Sequence, residues 1–251
     1  MSYTLKKSLG QHFLHDENIC RDIVDALHGE SYSQLLEVGP GAGAITKYLL
    51  QIIGIDFKAV EIDNEKADYL EVTYPSIKDK IIRDDFLKTP SPFEGSFIVI
   101  GNFPYNISSQ ILFKILEWKD QVPVIIGMFQ KEVAQRIAAQ PGSKVYGILS
   151  ILIQAYYSVE YLFDVPPTAF TPPPKVVSGV IRLRRKEQIL SVKSERAFTV
   201  LVKTAFNQRR KMLRNATRSL FDETVLQDDI FNKRAEQLSL DDFARLSFLM
   251  K

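Results

Sequence analysis

For its first 185 residues the chain alternates between short β-type runs and stretches with helical spacing. The β-type runs fall at residues 34–38, 57–62, 80–83, 97–100 and 122–129. Between them, Ile45, Leu49, Leu50 and Ile53 recur at helical intervals, as do Ile111, Leu112, Ile115 and Leu116. Near-continuous apolar strands interleaved with helices predict a mostly parallel sheet covered on both faces. Two late strands, 156–163 and 176–183, flank a loop at 166–174 with five prolines in nine residues. Such a loop is stiff and cannot pair as a central strand, which suits it to holding something in place. Beyond about residue 185 strand-like alternation stops, and apolar residues recur at helical intervals (Phe198, Leu201, Val202, Ala205; later Leu240, Phe243, Leu246). The expectation is an α/β domain over residues 1–187 and a small all-helical domain over 188–251.

The bulk properties bound the function classes. A hydrophobic fraction of 45% with 25% charged residues is that of a globular chain. No window approaches the ~18 apolar residues of a membrane span, and no apolar core follows Lys6 and Lys7 as a secretory signal requires. The single cysteine, Cys20, excludes an internal disulfide and a cysteine-based metal cluster. It shares an apolar stripe with Ile19, Ile23, Val24 and Leu27, so a buried thiol is expected. His12, His15 and His28 form no metal-ligand pattern, so no metal is expected. These features together predict a cytoplasmic protein, and a monomer, since nothing resembles a dimerisation helix.

A net charge of +2 predicts no polyanionic partner, but its distribution is uneven. From Lys203 to Arg218 there are six basic residues and no acidic one. On a helix Arg210, Lys211 and Arg214 would share one side. Together with Arg209 they are the candidate RNA contacts, the alternative being a solvated basic face. Lys6, Lys7, Lys131 and Arg136 are weaker candidates.

The run 34–38 leads into Glu37-Val-Gly-Pro-Gly-Ala-Gly43 and then a helical stretch. Glycines there let the backbone turn sharply beside a ligand, and the following helix offers free N–H groups. Glu61, at the end of the next strand, is spaced to accept both ribose hydroxyls of an adenine nucleoside. Asp85, after the third strand, is placed to take the adenine amino group. The loop also satisfies the NAD fingerprint as Gly39-x-Gly41-x-x-Ala44, so alone it separates NAD poorly from S-adenosylmethionine. Taken singly, Glu61 and Asp85 would more often be caps or solvated acids; their joint placement at strand ends makes the case.

The sharpest signal is Gly101-Asn-Phe-Pro-Tyr-Asn-Ile-Ser108, closing the fourth strand. The lone pair of an adenine amine is delocalised into the ring, so its methylation requires rehybridisation and aim. The Asn102 side-chain oxygen and a backbone carbonyl in the 103–104 segment would accept the two amine hydrogens. Pro104 fixes the turn, and Tyr105 offers an aromatic face to a flipped-out base. Position matters more than acid–base chemistry, because the amine can lose its proton after the methyl arrives. The alternative is a polar β-turn, disfavoured by its place at the carboxyl end of a strand in a sheet that carries a nucleoside pocket.

Five separated stretches carry a resemblance: Glu37-Val-Gly-Pro-Gly, Asn102-Phe-Pro-Tyr-Asn-Ile-Ser, Phe129-Gln-Lys-Glu-Val-Ala, the proline loop from Pro166 to Val176, and Ala205-Phe-Asn-Gln-Arg-Arg-Lys211. With Lys6-Lys-Ser-Leu-Gly-Gln-His-Phe-Leu14, they resemble the bacterial small-subunit rRNA adenine dimethyltransferases, the KsgA/RsmA group, over nearly the whole chain. The resemblance implies a Rossmann-like class I S-adenosylmethionine methyltransferase fold with a small helical C-terminal domain. It implies S-adenosylmethionine as donor and, as acceptors, two adjacent adenosines in the 3′-terminal hairpin of 16S rRNA in the immature small ribosomal subunit. His12, Leu14, Gly39, Gly41, Glu61, Asp85, Phe86 and Asn102 would line the cofactor, and Phe170 would face Tyr105 across the base. Two positions depart from the usual pattern: Phe103 replaces a leucine, which bears on pocket shape and the second methylation, and position 12 is His where Asn is also common.

Three rivals stand beside this reading. A large-subunit rRNA adenine methyltransferase would present the same pocket. An NAD-linked oxidoreductase has no use for the Asn-x-Pro-Tyr turn. A small-subunit assembly factor could act mainly by binding.

Overall fold

The computed structural model describes residues 12–251; Lys6 and Lys7 lie outside the described residues. In chain order the elements are β1 (Phe13–Leu14), α1 (Glu17–Asp25), β2 (Gln34–Val38), α2 (Thr46–Leu49), β3 (Asp56–Val60), α3 (Asn64–Thr73) and β4 (Ile81–Ile82). They continue with β5 (Ile98–Asn102), α4 (Ser108–Glu117), β6 (Val124–Gln130), α5 (Lys131–Ile137), α6 (Ile148–Gln154), β7 (Tyr157–Val165), β8 (Phe170–Thr171) and β9 (Ser178–Arg185). Helices α7 (Glu195–Asn207), α8 (Leu213–Ala216) and α9 (Leu240–Phe248) complete the chain, with 3-10 turns between them.

The chain forms two compact units, one holding residues up to Ala134 together with Val159–Arg185, the other Gln135–Ser158 together with Lys186–Lys251. The sequence division after residue 187 had placed 135–158 with the α/β part. In the structure the Gln154 side-chain amide donates to the carbonyls of Ile137 (2.7 Å) and Ala139 (2.8 Å), and α6 belongs with the later helices.

A seven-stranded sheet runs in the order β4-β3-β2-β5-β6-β9-β7. The ladders from β4 through β6 are parallel, and β9 joins β6 antiparallel. The continuous apolar runs are strands covered on both faces: Leu35 and Leu36 of β2 and Ile98, Val99 and Ile100 of β5 are fully buried. From β2 the chain winds outward to β3 and β4, then returns to place β5 on the other flank of β2. The carboxyl ends of β2 and β5 therefore bound the switch point, where open α/β sheets bind ligands. Helix α1 is capped by Asp16, whose carboxylate accepts from the amides of Asn18 and Ile19, and it buries Cys20 and Ile23 as the stripe predicted.

Two local expectations are corrected, for the apolar stripe and the basic segment, while the proline loop stays out of the main sheet as expected. The stripe from Ile45 to Ile53 is not one helix: α2 is a single turn, and Ile53 is 97% exposed. The proline loop does contain a strand, but β8 pairs only with β1, away from the main sheet. The basic segment 207–215 is broken: α7 ends at Asn207, Met212 bridges to Arg234, and Leu213 N–H donates to the Lys233 carbonyl. Backbone bonds to a distant segment thus interrupt the helix.

In the second unit α7 buries Phe198, Leu201, Val202 and Ala205, and α9 buries Phe243 and Leu246, as the helical spacing predicted. Phe206 packs against both Tyr146 and Phe243, with ring centroids about 6 Å apart. Ser239 caps α9 through a reciprocal box with Asp242.

Candidate functional site

One cavity lies within the first unit, at the switch point. It is lined by His12, Leu14, Gly39, Gly41, Glu61, Asp85, Phe86, Asn102, Pro104 and Tyr105, which is every cofactor and catalytic candidate except Phe170. The glycine turn after β2 holds Gly39, Gly41 and Gly43 at φ of 68°, 57° and 84°, a region side chains rarely adopt. The Gly41 amide donates to Glu61 Oε2 at 3.0 Å, and the Asp63 amide donates to Oε1 at 2.9 Å. Glu61 therefore ties the turn to the end of β3 and still has lone pairs for ligand hydroxyls. Burial raises its carboxyl above the usual range. Asp85 combines two roles: it lines the cavity, and its Oδ1 accepts from the Leu87 amide at 3.0 Å to shape the turn after β4.

On the opposite wall Asn102 ends β5, and the Phe103 amide donates to the Met128 carbonyl at 3.3 Å. The Pro104 carbonyl accepts from the Ile107 amide at 3.2 Å. Among the described residues the Phe103 carbonyl accepts no such bond, so its oxygen is unengaged beside Asn102. The Phe103 ring is fully buried and packs edge-on against Phe129. It fills the space over Gly101 and Gly127, where an added Cβ would come within 2.7 Å and 2.6 Å of the ring. Those glycines face each other in register across β5 and β6, so a phenylalanine in place of leucine is accommodated by the sheet beneath it.

Tyr105 differs in its partners from expectation. The ring stacked beside it is His12, with centroids 5.7 Å apart and planes at 26°. His12 Nδ1 lies 2.8 Å from the Pro172 carbonyl, which can only accept, so that nitrogen carries the proton. Phe170 is only 2% exposed: its place on β8, paired with Leu14 of β1, turns it into the apolar core rather than toward the cavity. The proline loop thus reaches Tyr105 through His12, and Ser178 at the start of β9 meets the Tyr105 hydroxyl at 2.5 Å.

Ile62 and Glu37 are among the cavity residues to which sequence reasoning gave no role. Ile62 is 55% exposed and lines the wall next to Glu61; an apolar residue directly after a strand-end acid was the available signal. Glu37, which closes the cavity beneath the glycine turn, is 1% exposed with neither carboxyl oxygen in a hydrogen bond. Burial, with Glu61 adding like charge, pushes its carboxyl up to about 8.

The four candidate RNA contacts separate. Arg209 is committed to Glu236 (2.8 Å) and to the Lys144 carbonyl (2.7 Å), and Arg214 bonds the Asn232 side chain. Arg210 and Lys211 are exposed and form no ion pair among the described residues. No helix among the described residues is long and apolar enough to cross a membrane.

The profile of the family described as "Ribosomal RNA adenine dimethylase" matches residues 2–250. Ribosomal RNA small subunit methyltransferase A of Cytophaga hutchinsonii is 51% identical over 98% of this chain and 96% of its own length. Among solved structures, a dimethyladenosine transferase from Plasmodium falciparum superposes with a TM-score of 0.81 at 25% identity, covering 94% of this chain and 96% of that one. The 23S rRNA methyltransferase ErmE shares the fold, with a TM-score of 0.70 at 23% identity over 93% of this chain and 99% of its own. The chain has the Rossmann-like α/β methyltransferase fold and belongs to the ribosomal RNA adenine dimethylase family.

Proposed function

We propose that this enzyme uses S-adenosylmethionine to dimethylate the N6 amines of two adjacent adenosines in the 3′-terminal hairpin of 16S rRNA, acting as a monomer on the immature small subunit. The observation that carries the reading is the Asn102–Tyr105 turn at the carboxyl end of β5, sharing one cavity with the glycine turn and Glu61. The cavity suits the cofactor: three left-handed glycines bring backbone close to a ligand, and Glu61 keeps spare acceptor capacity for ribose hydroxyls. Glu61, Asp85, Gly39, Gly41, His12 and Leu14 would hold it. Bound there, it supplies an electrophilic methyl group on a sulfonium.

The residues of the chain supply aim. The Asn102 side-chain oxygen and the Phe103 carbonyl accept the amine hydrogens, turning the nitrogen lone pair out of the adenine plane. Tyr105 gives the flipped base a stacking surface. No general base is needed before transfer, since the alkylated nitrogen becomes acidic and sheds its proton to water. Exposed Arg210 and Lys211 in the second unit would grip rRNA phosphates. The relatives named for small-subunit rRNA favour that substrate over the large subunit.

Labelled S-adenosylmethionine incubated with a mixture of unmethylated small and large subunits tests the substrate. Label confined to small-subunit RNA is expected, whereas label in large-subunit RNA would overturn the assignment.

A further inference from the structure

Tyr105 carries a hydroxyl that stacking does not require, since a phenylalanine ring would serve a base equally well. That hydroxyl is placed for a second purpose. It meets Ser178 Oγ at 2.5 Å, between residues far apart in the chain. Ser178 is fully buried, opens β9, and sits opposite Gln130 in the β6–β9 ladder. A serine held by sheet pairing on the inner antiparallel pair is a rigid anchor. The hydroxyl oxygen lies on the axis of the second side-chain torsion, so anchoring it fixes where the ring sits, while the stacked His12 ring limits rotation of its plane. Burial raises the Tyr105 phenol above its ordinary range, which keeps it a hydroxyl able to share this bond at neutral pH. Ser178 lies four residues beyond Pro174, so the segment leaving the proline-rich loop is anchored beside Tyr105.

We infer that Ser178 is a positioning residue for methyl transfer: through the Tyr105 hydroxyl it fixes the position of the ring on which the acceptor adenine stacks, and so the aim of the amine held by Asn102. This rests on the reading of Tyr105 as the stacking platform given above.

The test is steady-state methylation of unmethylated small subunits, with S-adenosylmethionine affinity and thermal midpoint measured in parallel. The variants are Ser178→Ala, Ser178→Thr, Tyr105→Phe, the Ser178→Ala/Tyr105→Phe double and Tyr105→Ala. Ser178→Ala and Tyr105→Phe should each lower kcat about tenfold, with little change in KM for the subunit or in cofactor affinity. The double variant should be no worse than either single, because both act through one bond and no hydroxyl is left orphaned. Ser178→Thr, which keeps the hydroxyl, should retain most of the turnover. Unchanged turnover in Ser178→Ala, or losses that multiply in the double, would overturn the inference. A parallel fall in cofactor affinity and thermal midpoint would do the same by showing a general structural role. Tyr105→Ala separates the two levels. Its full activity would remove the stacking reading itself, whereas its collapse beside an active Ser178→Ala would remove only the role of Ser178.

Discussion

Glu37 is the least comfortable ionisable residue near the cavity. Its carboxyl is buried under the glycine turn, with the Thr46 hydroxyl alongside but no completed hydrogen bond. Its folded value of about 8 lies far above that of an unfolded glutamate, about 4.3. Between those values the folded chain keeps a proton that the unfolded chain has released. Stability from this group is therefore fully present below the unfolded value and is lost as pH rises toward 8. The decline reaches about 1.4 kcal/mol per pH unit within the window. Glu37→Gln, similar in shape and uncharged, should flatten the fall in melting temperature between about pH 5 and 8, measured without ligand. A pH profile identical to that of the parent chain would contradict this assignment.

At the scale of elements, the glycine turn and α3 are mutually fitted. A Cβ at Gly43 would come within 2.8 Å of Tyr74 and 2.9 Å of Leu70, whereas one at Gly54, with a similar φ of +82°, meets nothing within 4 Å. Gly54→Ala should cost about 1 kcal/mol from backbone conformation alone. Gly43→Ala adds overpacking, for a total of about 2–4 kcal/mol, and should also weaken cofactor binding. Urea unfolding of the two variants compares them directly, and equal losses would show that the turn does not bear on α3. This contrast shows where sequence reading works and where it stops. Residues 34–38 were legible to the residue because Leu35, Leu36 and Val38 make a compact apolar run and the glycines mark its end. The clustering of Glu61, Asp85 and Asn102 was legible because parallel strands deliver their carboxyl ends to one edge. Ile53 and Phe170 were misplaced for a different reason: one-turn helices and two-residue strands are decided by tertiary contacts, which spacing alone does not encode. The His12–Tyr105 stack and the Tyr105–Ser178 bond join residues remote in sequence and left no local trace.

For the whole molecule, the run of six basic residues overstates the charge available to RNA. Arg209 is paired with Glu236, and Arg218 meets Glu223 at 3.3 Å. Arg210 and Lys211 are exposed without such a partner among the described residues. Alanine substitution of both should therefore lower the slope of log affinity against log salt by about 1 for each phosphate no longer neutralised. Arg209→Ala should leave that slope nearly unchanged, because it removes an internal ion pair; an equal fall would place Arg209 on the RNA. The central claim is that the turn after β5 is the reacting centre for adenine dimethylation. Its most direct test is mass-spectrometric mapping of small-subunit RNA after incubation with S-adenosylmethionine and either the parent enzyme or Asn102→Ala. Paired N6,N6-dimethyladenosines in the 3′-terminal hairpin with the parent, and their loss with Asn102→Ala despite retained subunit binding, are expected. The same dimethylated pair produced at an undiminished rate by Asn102→Ala would contradict the account.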